Sequence, residues 1–261
     1  MKAQHGVTRV AWELWLPIVL IALWWFASAN SDSFYFPALS EILAVSRELW
    51  FWDKTVTEIV PSVTRLVLGF LIGTVVGIVL GVTLGLLRRT EDAVRPVIDF
   101  IRATPGVALL PIVILFLGVG DPMKVVMIAL VSVWPVLLNT IDAVRSVEPV
   151  LLQVSRSFHF SAASRLRFVV LPSAAPQVFA GARTALATSV IAMVFTEMVG
   201  SPGGIGYFIL DAKTRFATPE MWSGIIALGV VGYLLNNLFR LLEAYVLAWH
   251  RKMTARAQTG D

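Results

Sequence analysis

Six long apolar blocks dominate this sequence and decide the solvent in which it can fold. They run Val10–Ala27, Val60–Leu87, Val97–Val119, Met123–Val144, Pro176–Met198 and Trp222–Leu247. About 20 apolar residues suffice to cross a bilayer as a helix. In lipid every backbone N–H and C=O must find its partner within its own segment, so spans of this kind are helical. Only 15% of the 261 residues are charged, against about 25% in an ordinary soluble domain, and mean hydropathy is +0.78. The expected fold class is all-α: a polytopic membrane protein of about six transmembrane helices, forming one membrane domain.

Lys and Arg number 21 against 17 Asp and Glu. Such an excess can mean nucleic acid, but here the charges lie between apolar blocks, and orientation in lipid explains them more simply. Six spans put both chain ends on one side. That side carries Lys2, Arg9, Arg88, Arg89, Arg95, Arg102, Arg145, Arg156, Arg165, Arg167, Arg251, Lys252 and Arg256, thirteen cations. Opposite lie five, Arg47, Lys54, Lys124, Lys213 and Arg215, while Arg65, Arg183 and Arg240 fall within spans. The cation-rich side is the cytoplasmic one, so both termini are expected there. The chain has no cysteine and three widely separated histidines, His5, His159 and His250, which excludes thiolate and histidine-cluster metal sites.

Residues 1–58 form an N-terminal unit. Ala27-Ser28-Ala29 has the small residues of a signal-peptide cleavage site, but Trp24 and Trp25 stand beside it and Glu13 lies inside the block. Trp12, Trp15, Trp24 and Trp25 fit interfacial belts at the two ends of a retained span. Pro37 opens a more polar stretch in which Ile42, Leu43, Leu49 and Trp50 oppose Glu41, Arg47 and Glu48. That pattern suits a short helix lying on the membrane surface or a plain loop helix. Residues 59–250 form the core, with a cytoplasmic loop at 145–172, and 251–261 a cytoplasmic tail.

Within the core, Gly69, Gly73, Gly77, Gly81 and Gly85 recur every fourth residue. Such a stripe admits another helix backbone at close range, within the subunit or across a dimer. Pro105, Gly106 and Pro111 break the third block, either as a kink or as the interrupted backbone that lines a transport path. Arg65, Arg183 and Glu197 put charge in or near apolar spans, where facing lipid costs about 3 kcal/mol or more. They should face a cavity or each other, and together with Pro105 they are the candidate lining of a translocation path. Gly200-Ser201-Pro202-Gly203-Gly204-Ile205-Gly206 follows a membrane helix and falls on the external side, which suits a tight turn or gate loop and not a phosphate loop. Asp53 before Lys54-Thr55 and Ala212 before Lys213-Thr214 stand where a nucleotide-binding loop needs glycine. No paired carboxylates, metal cluster or Ser/His pair suited to catalysis appears in the spans. The chain therefore binds no cofactor of its own, and any ATP chemistry must come from another chain.

The loop Val144–Pro172 carries the most information. Glu148-Pro149 can start a helix, which places Leu151, Val154 and Phe158 on one face with Gln153, Arg156 and Ser157 around them. Ser161 can cap a second short helix, Ala162–Val170, which Leu171-Pro172 should end. A cytoplasmic loop with its own apolar face and two exposed aromatics, Phe158 and Phe160, invites a partner protein.

On these residues the sequence resembles the binding-protein-dependent ABC transporter permeases. Their cytoplasmic loop reads Glu-Ala-Ala, three residues, Gly, nine residues, then Ile-x-Leu-Pro. Anchored on Val169-Val170-Leu171-Pro172, it aligns Gln153-Val154-Ser155 with Glu-Ala-Ala and His159 with the glycine. The Leu171-Pro172 end matches; Gln153 and His159 depart. Phe36-Pro37, Ser62-x-x-Arg65-x-x-x-Gly69-Phe70, Arg102-x-x-Pro105, Leu117-Gly118-x-Gly120, Glu197-Met198-x-Gly200 and Gly204-x-Gly206-Tyr207 resemble the nitrate, sulfonate and taurine subfamily, so that the likeness spans about Phe36 to Trp249. It implies a type I importer permease of the bacterial inner membrane that works as a homodimer. Its partners would be two cytoplasmic ATPases, which hold ATP and Mg, and an external binding protein. It further implies that Gln153, Val154, Ser155, Arg156, Phe158, His159 and Phe160, with Leu171 and Pro172 closing the loop, dock on the ATPase. A side chain tolerates positive φ poorly, so His159 implies either a differently built turn or a contact of its own. The cargo implied is a small anion such as nitrate, sulfonate, taurine or bicarbonate; relatives carry pyrimidine vitamin precursors. An ion-coupled secondary transporter using Glu197 and Arg183 is the competing class, and it would need neither the loop nor an ATPase.

Overall fold

The structure, a computed structural model, describes residues 2–29, 31, 33–51, 53–199 and 201–249, with side chains from Trp15 onward. The side chains of Lys2, Arg9, Trp12 and Glu13, as well as Gly200, His250 and the 251–261 tail, lie outside the described residues. The described elements are helical: α1 (Lys2–Ser28), α2 (Leu39–Trp50), α3 (Val60–Leu86), α4 (Arg88–Ala103), α5 (Leu110–Leu117), α6 (Asp121–Arg145), α7 (Pro149–Ser157), α8 (Ala162–Arg165), α9 (Leu171–Met198), α10 (Ile205–Thr214) and α11 (Thr218–Val246). Four helices among the described residues are long and apolar enough to span a bilayer, and the bent pair α4 and α5 passes the same test when taken together. The apolar part of α1, Trp15–Ser28, is shorter. The third block is thus no straight span. Its two helices meet at 88°, because Thr104 before Pro105 is held extended, at ψ 124°. A Cβ on Gly106 would sit 2.8 Å from Val131 Cγ2, so this corner packs directly on α6.

The glycine stripe of α3 lies wholly within the subunit. A Cβ on Gly69 would meet Ile128, on Gly77 Val136, on Gly81 Thr140 and on Gly85 Val144, while Gly73 faces Ser132 and the carbonyl of Ala129. Both partners advance by four residues, so α3 and α6 run parallel with their backbones in near contact, as small-residue stripes allow. Two parallel spans require a return crossing, which the bent α4–α5 pair supplies. The opposite face of α3, with Leu68, Leu71, Ile72, Val75 and Val79, is exposed, as a lipid-facing surface should be. Leu66, Phe70, Ile128, Val136, Ala185, Leu186, Met193 and Phe239 fill the space between α3, α6, α9 and α11.

Two prolines interrupt nothing. A helix normally stops before proline, whose ring clashes with the carbonyl four residues back. Here a π turn precedes each Xaa-Pro. Val60 N–H bonds to Thr55 O just before Pro61, and Leu171 N–H bonds to Leu166 O just before Pro172. The wider turn reroutes the bond that proline would have broken. Contrary to the sequence expectation, Leu171-Pro172 does not end the short helix: it runs through Leu166–Val170 into α9, continuous from Ala162 to Met198.

α2 is no free surface helix on the bundle. Ile42 is buried, Trp50 Nε1 donates to Ser223 Oγ of α11 at 2.6 Å, and the Trp50 ring lies 5.0 Å from that of Phe208. Trp24 near the end of α1 stacks obliquely on Trp222 at 5.7 Å. That end of α1 therefore sits where α11 begins, which leaves the free ends of both terminal helices at the same end as the 145–172 loop.

Candidate functional site

The loop builds a short platform. α7 opens at Pro149 with Glu148 as its N-cap residue. Ser155 is buried, and Leu152 packs against Val144, Val147, Val170 and Ala174, which seats the helix on the ends of α6 and α9. The opposite face is free: Leu151 and Val154 are nearly half exposed and Phe158 is 73% exposed. Gln153, Arg156 and His159 surround that face. The helix ends with Phe160 N–H bonded to Ser155 O at 3.0 Å and His159 N–H to Arg156 O at 2.9 Å. These are the two bonds of a Schellman cap, in which the residue after the helix is left-handed and usually glycine. His159 occupies it with φ 55°. The turn is therefore the one a glycine would build, made with a strained histidine. Ser161 then caps α8, its Oγ accepting from Ser164 N–H at 3.1 Å.

A left-handed side chain costs about 1 kcal/mol. His159→Gly should therefore leave the loop intact and raise thermal stability slightly, by up to about 1 kcal/mol once the added chain entropy of glycine is subtracted. The melting temperature of the purified variant checks this; a lower one would mean that the imidazole makes a contact the turn needs.

At the other end lies a second constellation. Glu197, at the close of α9, is 0% exposed. Its Oε1 is 2.6 Å from Ser62 Oγ and accepts from Arg65 Nη1 at 3.1 Å, while Oε2 accepts from Gly206 N–H at 3.0 Å. Glu58 Oε2 accepts from Gly204 N–H at 2.7 Å, and Ser62 Oγ accepts from Ile205 N–H at 2.9 Å. Two carboxylates and a hydroxyl thus take up the free N–H groups that open α10, where negative charge is favoured. Gly204 has φ 118° and lies against the Glu197 carboxyl, a position closed to any side chain. Arg65 Nε pairs with Asp121 at 2.8 Å, and Nη1 also donates to Gly203 O at 3.2 Å. Lys124, 1% exposed, donates to Ser201 Oγ at 2.7 Å and lies 3.4 Å from Asp121. The cluster clamps the 201–206 loop onto the starts of α3 and α6.

Of the residues expected to line a path, Arg65 and Glu197 meet each other. Arg183 does not join them; it pairs with Glu243 of α11. Pro105 stands apart at the α4–α5 corner, exposed. Glu58, Asp121, Lys124 and Ser201 were missed from sequence, although Glu58 and Ser62 extend the glycine stripe of α3 at nearly its own spacing. Ser62 and Glu58 stand seven and eleven residues before Gly69, a spacing that keeps them on the glycine face of the helix.

A long-span helical bundle with an outward-facing loop helix at one end and a charge-clamped loop at the other is a membrane transport subunit in outline. The sequence matches the family model of the binding-protein-dependent transport system inner membrane component over residues 73–251, and the chain belongs to that family. It is 32% identical over 253 residues to a putative aliphatic sulfonates transport permease protein of Bacillus subtilis, covering 95% of this chain and 92% of that protein. It is 35% identical over 257 residues to a riboflavin transport system permease protein of Chloroflexus aurantiacus, covering 94% of each. Against the taurine transport system permease protein of Escherichia coli identity is 28% over 239 residues, 89% of this chain and 87% of that one. Among solved structures, a chain of the MetNI methionine ABC transporter in an inward-facing form aligns with TM-score 0.61 at 20% identity, over 80% of this chain and 99% of that one. This last likeness is one of fold.

Proposed function

We propose that the chain forms, as a homodimer, the translocation path of an ATP-driven importer. ATP and Mg are bound by two cytoplasmic ATPase subunits, and cargo arrives from an external binding protein. The observation that carries this reading is the uncovered Leu151–Val154–Phe158 face of α7, set on the cation-rich end of the bundle. ATPase closure would press on α7, and the continuous Ala162–Met198 helix would carry that displacement to the Glu197 clamp at the far end. Both termini would be cytoplasmic and the 201–206 loop external. The supported cargo class is a small anion, a sulfonate or taurine among them, as in the names of two relatives. Arg65 and Arg183 are not what supports it, since both have carboxylate partners. The riboflavin permease relative supports a heteroaromatic vitamin or its pyrimidine precursor as the second reading.

The test is Phe158→Asp. A charge on an apolar contact should abolish co-purification of the ATPase from the same gene cluster, while the permease still inserts and elutes as a single species. Full retention of the ATPase, or transport in liposomes without it, would favour the ion-coupled transporter. With the wild-type complex, ATP hydrolysis that rises with binding protein loaded with taurine, but not riboflavin, decides the cargo class.

A further inference from the structure

A cavity of about 760 Å³ opens beside α7 where α3 ends, α4 begins and α6 meets α9. Five arginines line it: Arg88, Arg89, Arg145, Arg156 and Arg165. Against them stands Glu91, which is buried and already paired with Arg145 at 2.8 Å and with Arg95 at 3.6 Å. Arg88, Arg89 and Arg156 have no carboxylate partner among the described residues. The Nε atoms of Arg145 and Arg165 are buried without a hydrogen-bond partner, a costly state for a cationic donor. The N-terminal turn of α4, Arg88 to Thr90, faces the same cavity and has no side-chain cap. It adds the positive end of a 16-residue helix. Such a set of donors is matched by a phosphate group, which guanidinium forks bind bidentately.

The depth of the site indicates where the phosphate comes from. Gly85 and Leu86 close α3, Val144 lies one residue before the end of α6, and Val170 precedes α9. The arginines therefore ring the level at which the apolar spans give way to headgroups. At the mouth, Leu86 and Leu87 are each 51% exposed, a seat for acyl chains below the charged ring. We propose that this cavity binds the phosphodiester of an anionic phospholipid, bracing α7 against α3 and α4. The proposal needs only the membrane-spanning fold and stands whether or not α7 docks on an ATPase.

The full chain, purified in a mild non-ionic detergent, would be offered equimolar phosphatidylglycerol and phosphatidylcholine with matched acyl chains, and the lipids retained would be counted by native mass spectrometry. Each arginine near an anionic headgroup is worth about a fivefold change in binding. Wild type should prefer phosphatidylglycerol by about tenfold or more. Arg88→Gln/Arg89→Gln, which changes two exposed side chains and so preserves the fold, should bring the preference close to parity. No preference in wild type, or an unchanged one in the double variant, overturns the proposal. Inorganic phosphate that displaces phosphatidylglycerol at low millimolar concentration would assign the site to a free anion and overturn the lipid source. If the arginines instead await acidic side chains of the ATPase, the isolated chain shows no lipid preference and the double variant loses only co-purification, which also overturns it.

Discussion

Gly81→Leu should prevent the folded chain from accumulating in the membrane. A Cβ there would lie 2.5 Å from Thr140 Cβ and 2.9 Å from the Leu137 carbonyl oxygen, and the second of these is backbone and cannot turn aside. Relief requires α3 and α6 to separate, which breaks the same approach at Gly77 and Gly85. Overpacking costs about 1–3 kcal/mol where the neighbours can give, and a bulky side chain against rigid backbone lies at or beyond the top of that range. Against a typical net stability of about 5–15 kcal/mol, loss of a monodisperse peak in detergent is the expected result. Gly229→Ala in α11 is the control, because nothing lies within 4 Å of its Cβ position; it should be neutral. The smaller Gly81→Ala should be partly rescued by Thr140→Gly, which removes the obstructing Cβ. Equal tolerance of Leu at 81 and Ala at 229 would mean that the stripe does not form the α3–α6 contact.

That contact shows what the sequence could and could not say. The stripe itself was plain, since five glycines at a spacing of four favour a packing face over a lining for the substrate path. Its partner was not, because any apolar helix could have filled the groove. Yet α6 carries a matching ladder, Ile128, Ser132, Val136, Thr140 and Val144, of branched or small side chains at the same period. Pairing two periodic faces would have placed the contact inside the subunit and set the helices parallel. The Leu171-Pro172 stop failed for a local reason: the rule that helices end before proline assumes an α turn, and a π turn removes the clash. Nothing in Leu166–Val170 announces that turn. The loop helix and the Ser161 cap of the helix after it were legible because they are set by neighbours in sequence, whereas the turn at His159 was left open until the structure gave its φ. Which carboxylate each arginine would choose was not, since Glu197 and Glu243 are both within reach only after the bundle has formed.

Glu197 is where those long-range choices concentrate, and its removal should be felt first in the loop it holds. Glu197→Ala deprives Arg65, the Ser62 hydroxyl and the Gly206 N–H of one acceptor each. Removing one member of a buried ion pair costs about 3–5 kcal/mol, because the other charge is left uncompensated. Arg65 keeps Asp121 and the Gly203 carbonyl, which places the expected loss near 3 kcal/mol. Glu197→Gln keeps the shape and one acceptor and should lose about half as much. The cost should not spread evenly. α10 is tied to the bundle through the Gly204, Ile205 and Gly206 N–H groups, so hydrogen exchange across 203–208 should accelerate in both variants before the melting of α3 or α6 changes. Combining Glu197→Gln with Arg65→Met should cost less than the sum of the two single changes by about 1 kcal/mol or more, the signature of direct coupling. Additive effects would show that Arg65 is held by Asp121 alone. If the exchange rates of the loop stay at wild-type values while global stability falls, Glu197 supports the bundle without clamping the loop, and the proposed coupling of α7 to the 201–206 loop would need some other contact.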